Sequence, residues 1–493
     1  MMQKKFLKNL AFLILLNLLV KPFWIFGVDR EVQNIVGPEE YGFYFTILNF
    51  SFLFYIILDL GITNFNNRNI AQNTQLLNKH MAGISTLKIL LGFCYGLLIY
   101  IVGWIIGYDE RQLYLLAWVG FNQFLLSFVM YLRSNITGLL LFKTESFLSV
   151  LDRLLMILIC GSLIWVSNFR DNFTIEWFVY AQTIAYAITA IIALIAVLNR
   201  SGKLRLNWNP AFFLMIIKKS LPFAILALLM SFYNRIDPVL IERILKGSFG
   251  DEQSGIYAQA YRMLDAGQNF ALLFAVLLLP LFSKMIKENK SIVHLVKLSF
   301  SIIISGTLII AITSLFYGEQ IMQLLYTQAE GETYENYMER IILSAKIFKL
   351  LMFSLVFISS IYIFGTLLTA NNSLKYLNLI AIISLTSNIL LNFILIPKYY
   401  ALGSAYASVT AQGLTAILQI IIAYWLFRFN INYKLILKIV ATIILTIIAG
   451  YLINMMNIQN WIISMTIMLT VGLLFSFSLK LLNIREFISI LRD

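Results

Sequence analysis

Thirteen ionisable side chains fall inside stretches that are otherwise apolar enough to cross a bilayer. The basic ones are Lys21, Lys88, Arg133, Arg153, Arg235, Arg262, Lys346 and Lys349; the acidic ones are Asp59, Asp152, Asp237, Glu242 and Asp265. A charge in hydrocarbon is costly, so such residues are functional candidates by default. If they share a cavity, the basic excess makes its field positive and favours an anion such as a phosphate headgroup. Arg133, Arg235, Arg262, Lys346 and Lys349 are therefore the candidate substrate-binding residues. Asp59, Asp237 and Asp265 are candidates for ion coupling or for a charge network.

Each also has a plainer reading. Lys21 precedes Pro22, which disturbs a helix; it either snorkels to the outer interface or marks a bend that moves. Lys88, about two turns into its helix, is expected to snorkel to the cytoplasmic surface, and Asp152-Arg153 reads as an interfacial pair. Arg133, in "YLRSNITG", is either a cavity contact or part of a cytoplasmic gate. In "SFYNRIDPVLIER", Arg235 and Asp237 are two apart and cannot face each other on a helix, so they need partners elsewhere. "YRMLDAGQN" offers Arg262 and Asp265, spaced i, i+3 and able to neutralise each other; the alternative is that a surplus arginine grips an anionic substrate. Lys346 and Lys349 share a helix face and either line the outer half of a cavity or pair with the acidic segment 317–340. Asp59 has no partner in its own segment. It either takes a proton or coupling cation, or serves as a cap or partner for Arg68 in "NFNNRN".

Enzyme chemistry finds no foothold. The sequence holds no Ser-His-Asp arrangement, no carboxylate pair in a water-facing loop and no phosphate-binding Gly-rich loop with Lys. Cys94 and Cys160 fall in apolar runs, where packing explains them, and His80 and His294 have no ligand cluster around them. No catalytic residue, metal site or cofactor is expected.

The elements that must position these charges are membrane helices. The chain has 493 residues, 60% hydrophobic and 12% charged, with a mean hydropathy of +0.83. A soluble domain carries about 25% charged residues, so lipid is the main solvent. Apolar runs long enough to span a bilayer as helices suggest fourteen, at 6–33, 41–66, 82–107, 113–138, 147–168, 174–198, 213–245, 254–285, 293–317, 340–369, 373–396, 402–427, 433–454 and 459–482. The absence of dominant period-2 alternation argues against a β-barrel. The N-terminus has the charge-then-apolar look of a signal peptide without a small-x-small cleavage site, and is expected to be a retained first helix.

With both ends cytoplasmic, the cytoplasmic segments hold 22 lysines and arginines and the opposite segments 7. That asymmetry sets the orientation and accounts for the net charge of +13, so a nucleic-acid partner drops out. No connecting segment approaches the roughly 50 residues of a folded catalytic domain. The expectation is a multi-pass membrane protein that works within the bilayer.

A repeat suggests how the helices are organised. "GPEEYGFY" from Gly37 returns as "GDEQSGIY" from Gly250; both read G-x-E-x-x-G-x-Y and follow the first helix of a six-helix set. "GLLLFKTESF" from Gly138 is echoed by "GTLLTANNSL" from Gly365, each closing a fourth helix. The glycines are read as tight turns between helices, and the tyrosines as interfacial. The expected fold is all-α: an N-terminal lobe over 1–205, a parallel C-terminal lobe over 206–430, and two further helices over 431–493. Parallel halves with a site between them are a transporter architecture.

The stretches "NIVGPEEYGFYFTILNFSFLFYIILDLGI", "NRNIAQ", "KKSLPFAILALLMSFYNRIDPVLI" and "SGIYAQAYRMLDAGQNFALLFAVLLLPLFS" resemble polysaccharide-biosynthesis flippases of the Wzx type, in the MATE-like multidrug/oligosaccharidyl-lipid/polysaccharide superfamily. The resemblance covers essentially the whole chain and rests on the order and spacing of loose motifs. It implies a transporter that moves undecaprenyl-pyrophosphate-linked oligosaccharide units from the cytoplasmic to the periplasmic leaflet by alternating access, coupled to protons or sodium. It implies partners in polysaccharide synthesis, such as a polymerase and glycosyltransferases, feeding O-antigen, capsule or exopolysaccharide. It supplies no strict motif, so the site residues rest on the charge reading. Two alternatives stand beside it. A drug exporter of the same superfamily wants an acidic cavity, and a membrane-embedded polymerase wants a larger outside loop with catalytic residues.

Overall fold

The computed structural model of the chain describes residues 16–482 apart from 18, 64–65, 68–69, 71–74, 76, 140, 167–168, 202–206 and 431. Among the described residues the regular structure is entirely helical. Two compact units emerge, Met1–Gly255 and Ile256–Asp493.

In the first unit a π-helical turn, Trp24–Asp29, runs directly into α1 (Arg30–Leu53). Gly37 breaks α1 with φ +79°, and Pro38 starts the next arm. Glycine tolerates that φ, and proline needs no N–H at a helix start. The loop expected around 33–41 is therefore a one-residue kink. A second interruption follows: α2 (Ile56–Asp59) is ended by Leu60 and Gly61, both at positive φ. Next come α3 (Leu77–Ile105), α4 (Glu110–Gly138), α5 (Phe142–Gly161), α6 (Ile175–Ser201) and α7 (Pro210–Leu245). Asp109 and Gln112 form a reciprocal capping box at the start of α4, and Asn209 caps Phe212 N at the start of α7. The helix α8 (Gly247–Lys287) carries the boundary between the units.

The second unit continues with α9 (Val293–Leu325), α10 (Tyr334–Ala370), α11 (Leu374–Phe427), α12 (Tyr433–Met455) and α13 (Trp461–Ser478). Tyr400, at φ +54° just after Pro397, splits α11 into two arms that match the expected spans 373–396 and 402–427. The α12–α13 hairpin docks on α9 through Gly450, against Phe316, and Gly472, against Ile309. Small residues let membrane helices approach closely where no hydrophobic effect drives them together.

Nine helices among the described residues are long and apolar enough to cross a membrane. They carry ten of the fourteen expected spans, because α11 carries two. The other four fall on segments that are interrupted, more highly charged, or partly outside the described residues. The outward faces are apolar, with Phe93, Trp104, Leu158, Trp425 and Leu437 all exposed. Polar side chains pair inside: Asn66 Nδ2 donates to Ser134 Oγ at 2.8 Å and Asn135 Oδ1 at 2.9 Å, and Gln182 Nε2 donates to the Tyr44 hydroxyl at 2.8 Å. This is an all-α, multi-pass membrane fold, polar within and apolar towards lipid.

Candidate functional site

The first unit contains both repeats up to their second glycines, and there they cross. A Cβ on Gly42 would lie 1.8 Å from the Asp251 carbonyl oxygen and 2.5 Å from Gly255 N. A Cβ on Gly255 would lie 1.8 Å from the Pro38 carbonyl oxygen. Only bare backbone fits at this crossing. Thr46 Oγ1 and Ser254 Oγ close it with a 2.8 Å hydrogen bond. The sequence reading took the second repeat as a turn, but residues 250–257 are helical and the turn lies upstream at Lys246–Gly247, φ +60° and +62°. Gly250 instead sits against the backbone of Glu242. In both repeats the second glycine serves close helix contact.

Acidic groups rim this crossing. Arg111 bridges Glu40 at 2.6 Å and Glu176 at 2.9 Å, while Arg243 pairs with Glu242 and stacks over the Tyr108 ring at 4.7 Å. Gln112 Nε2 also donates to Glu242, at 3.1 Å. Asp251, in the first turns of α8 and ahead of the expected span 254–285, is half-buried. Burial and the neighbouring carboxylates Glu242, Glu39 and Glu40 push its carboxyl up to about 7, with Arg243 pulling the other way. Its ordinary value is 3.8. A raised carboxyl pKa means that the packed crossing holds the proton more tightly than an opened one. The stability that Asp251 contributes to the crossing is therefore fully present below about 4 and is lost as pH rises towards 7. Impermeant-maleimide labelling of Ser254→Cys, a buried position, is expected to accelerate over that range relative to the same cysteine in Asp251→Asn. Identical pH profiles in the two backgrounds would refute a role for Asp251.

Deeper in the same unit lies an ion pair whose lysine is buried and whose aspartate is half-buried. Lys88 Nζ donates to Asp59 Oδ1 at 2.5 Å, to the Leu58 carbonyl at 2.9 Å and to Ser127 Oγ at 3.0 Å. All three ammonium protons have acceptors. The break at Leu60–Gly61 presents the Leu58 carbonyl and the Asp59 carboxylate to α3. Asp59 also accepts from Thr63 N at 3.3 Å and from the Thr63 hydroxyl. Lys88 was expected to snorkel; it is instead 1% exposed, because these acceptors replace its hydration better than a stretch to the interface would. Arg68, the other partner considered for Asp59, lies outside the described residues.

The basic side chains of this unit gather. Lys21 feels the like charges of Arg153 and Arg133 and the opposite charge of Asp152. Arg133 pairs with Glu145 at 2.6 Å. Arg153 lies 3.7 Å from Asp152, donates to the Tyr186 hydroxyl at 3.2 Å and sits over the Trp24 ring at 5.5 Å. Lys21 is exposed, and its charge makes the local sum of three cations and two carboxylates positive. Arg235 reaches Asn49 Oδ1 at 3.5 Å and lies over Phe52 at 5.1 Å, while Asp237 is buried.

In the second unit Arg262 and Asp265 stand 3.8 Å apart on one helix face. Lys349 pairs with Glu319 at 3.3 Å, and its stem packs over Gly318; Lys346 is exposed. The i, i+3 spacing of the two lysines thus leaves them in unlike surroundings. Sequence reasoning named Arg133 but not its grouping with Lys21 and Arg153, and it missed the Lys88–Asp59 pair. No group of three or more metal-ligating side chains occurs among the described residues.

Known proteins give this arrangement its context. A family model described as polysaccharide biosynthesis protein matches residues 6–286. The chain is 32% identical over 213 residues to the capsular polysaccharide biosynthesis protein CapF of Staphylococcus aureus, which covers 43% of this chain and 50% of that protein. The match thus spans about half the length of that relative. Among solved structures, the lipid II flippase MurJ in an inward closed conformation superposes with a TM-score of 0.70 at 16% identity, over 96% of this chain and 100% of that one. An inward-facing multidrug resistance MATE family transporter of the MOP superfamily gives 0.60 at 14% identity, over 82% and 94%. At such identities these likenesses speak to the fold. The chain belongs to the polysaccharide biosynthesis protein family, a family of membrane transporters and not enzymes, and is built on the MATE-like fold that MurJ also has.

Proposed function

We propose that this protein is a flippase that moves undecaprenyl-diphosphate-linked oligosaccharide units from the cytoplasmic to the opposite leaflet of the bacterial cytoplasmic membrane, with both termini cytoplasmic. The observation that carries this reading is the cationic group of Lys21, Arg133 and Arg153, with its positive sum inside a membrane fold. Guanidinium groups suit a diphosphate because they donate in pairs to its oxygens. Family membership supports a polysaccharide precursor as cargo, and the likeness to CapF favours capsule over the other surface polymers. Glycosyltransferases and a polymerase are the partners this pathway implies. Alternating access would move the lobes 1–205 and 206–430, with 431–493 appended. Arg235, Arg262, Lys346 and Lys349 are proposed as further substrate contacts, and Asp237 and Asp265 as members of the charge network. The Lys88–Asp59 pair is proposed as the coupling site: a proton or sodium ion taken by Asp59 would release Lys88.

Lys21→Gln is the cleanest test of the anion grip, because Lys21 is exposed and its loss opens no cavity. A charge-assisted contact of about 1.5–3 kcal/mol implies a loss of roughly ten- to a hundredfold in transport of the diphosphate lipid. Wild-type transport by the variant would remove Lys21 from the site. Wild-type transport by Arg133→Ala, Arg235→Ala and Arg262→Ala alike would sink the anion grip as a whole.

A further inference from the structure

A second basic group lies in Ile256–Asp493 and takes no part in the sites above. Three helix ends surround a cavity of about 280 Å³: the start of α9 with His294 and Lys297, the start of α12 with Asn432, Lys434 and Lys438, and the residue Lys480 just past α13. Among the described residues its lining holds four lysines and a histidine but no carboxylate. Lys434 and Lys438 are spaced i, i+4, so like charges share a face of α12. That placement disfavours the empty fold and suits one that binds an anion.

The backbone adds to the field. The N-cap of α9 is Ile292, which has no side chain to cap the first-turn amides. His294, in the first turn of α9, is a lining residue, so the positive end of that helix dipole lies at the pocket. Asn432 caps α12 by accepting from Leu435 N at 3.0 Å, which fixes the entry of that helix. Lys480 adopts the left-handed conformation, φ +56°, a geometry unusual for a lysine. It is held there by Lys480 N→Phe477 O and Leu481 N→Ser476 O, both 2.9 Å. Gly450 and Gly472 hold the α12–α13 hairpin close against α9. Along α12 from the pocket, the side chains of Leu437, Val440 and Ile444 are exposed on an apolar face. A headgroup in the pocket would leave its hydrocarbon chain against that face.

We propose that this pocket binds the phosphoryl headgroup of a membrane lipid. The convergence of three helices separates it from lysines that merely snorkel to water, since it is concave and its charges point to one volume. That the leaflet is the cytoplasmic one rests on the topology proposed above; the binding itself does not. An anionic phospholipid and a polyprenyl diphosphate share the recognised chemistry, and a soluble diphosphate offers the same group without a chain.

The test uses the full-length protein and native mass spectrometry after incubation with phosphatidylglycerol, undecaprenyl diphosphate or the zwitterionic phosphatidylethanolamine. The wild type is expected to retain at least one of the two anionic lipids. The variant K297Q/K434Q/K438Q/K480Q is expected to retain that lipid about tenfold less or worse, with phosphatidylethanolamine unchanged. Equal retention by both proteins overturns the proposal. Which anionic lipid is retained separates the two lipid sources. Complete displacement by equimolar inorganic diphosphate would mean that the site reads a free anion, which overturns the lipid assignment. Three of the lysines are exposed and one half-buried, so the variant is expected to fold; if it does not, K438E alone gives the same comparison. Retention is read without transport, so a failure of the flippase reading leaves this result standing, and the converse.

Discussion

Gly42→Ala is expected to abolish transport and to destabilise the protein by more than the usual overpacking cost of about 1–3 kcal/mol. The added methyl would meet the Asp251 carbonyl oxygen at 1.8 Å and Gly255 N at 2.5 Å. Both are backbone atoms within a helix, so no rotamer change relieves the clash and the helices must separate. Gly255→Ala meets the Pro38 carbonyl in the same way and is expected to have the same effect. Ser254→Ala is the control. It removes the hydrogen bond to Thr46 and leaves the crossing intact, which should cost about 1 kcal/mol. Thermal unfolding in detergent and transport in vesicles would read both quantities. A Gly42→Ala protein with unchanged melting temperature and transport would show that the crossing can open without consequence.

Lys88 carries the second large effect. Removing one partner of a buried pair leaves an uncompensated charge, at about 3–5 kcal/mol. Lys88→Met and Asp59→Asn are each expected to destabilise the protein, Asp59→Asn more, because it strands the fully buried ammonium, whereas Asp59 is 20% exposed and keeps its hydrogen bonds from Thr63. The double variant Lys88→Met/Asp59→Asn removes both charges and is expected to recover most of the stability, since apolar replacements of buried pairs are often neutral. Transport should not recover with it if the pair couples an ion. Recovery of both, with cation dependence unchanged, would make the pair purely structural. Thermal unfolding and transport against an imposed ion gradient separate these outcomes.

Much of this fold was legible in the sequence, because the bilayer makes backbone satisfaction a strict rule and apolar runs then read as helices. Spans three to six and nine to fourteen appear where the hydropathy put them. The boundary that failed did so where a single residue does the work of a loop. Gly37 kinks a continuous helix where a loop was expected, whereas the kink at Tyr400 falls in the expected gap between 396 and 402. The doubled motif was legible as a repeat but misread in function: the second glycines serve a close approach that depends on what lies opposite, and Gly247 took the turn expected of Gly250. The Lys88–Asp59 pair was partly visible. Both residues lie at similar depth in neighbouring predicted helices, and matching lone opposite charges by depth would have joined them. The grouping of Lys21 with Arg133 and Arg153 had no comparable signal, since it depends on which faces of three helices meet.

The central claim is that the protein carries a diphosphate-linked lipid across the membrane, and reconstitution tests it most directly. Purified protein in vesicles would be given a fluorescent undecaprenyl-diphosphate oligosaccharide on both leaflets, and an impermeant quencher would report the fraction reaching the outer surface under an ion gradient. Wild-type protein is expected to shift the lipid to the quenched leaflet, and Lys21→Gln to slow that shift at least about tenfold. No shift with wild-type protein under proton or sodium gradients, together with efflux of cationic dyes from the same vesicles, would contradict the account and assign the chain to drug export.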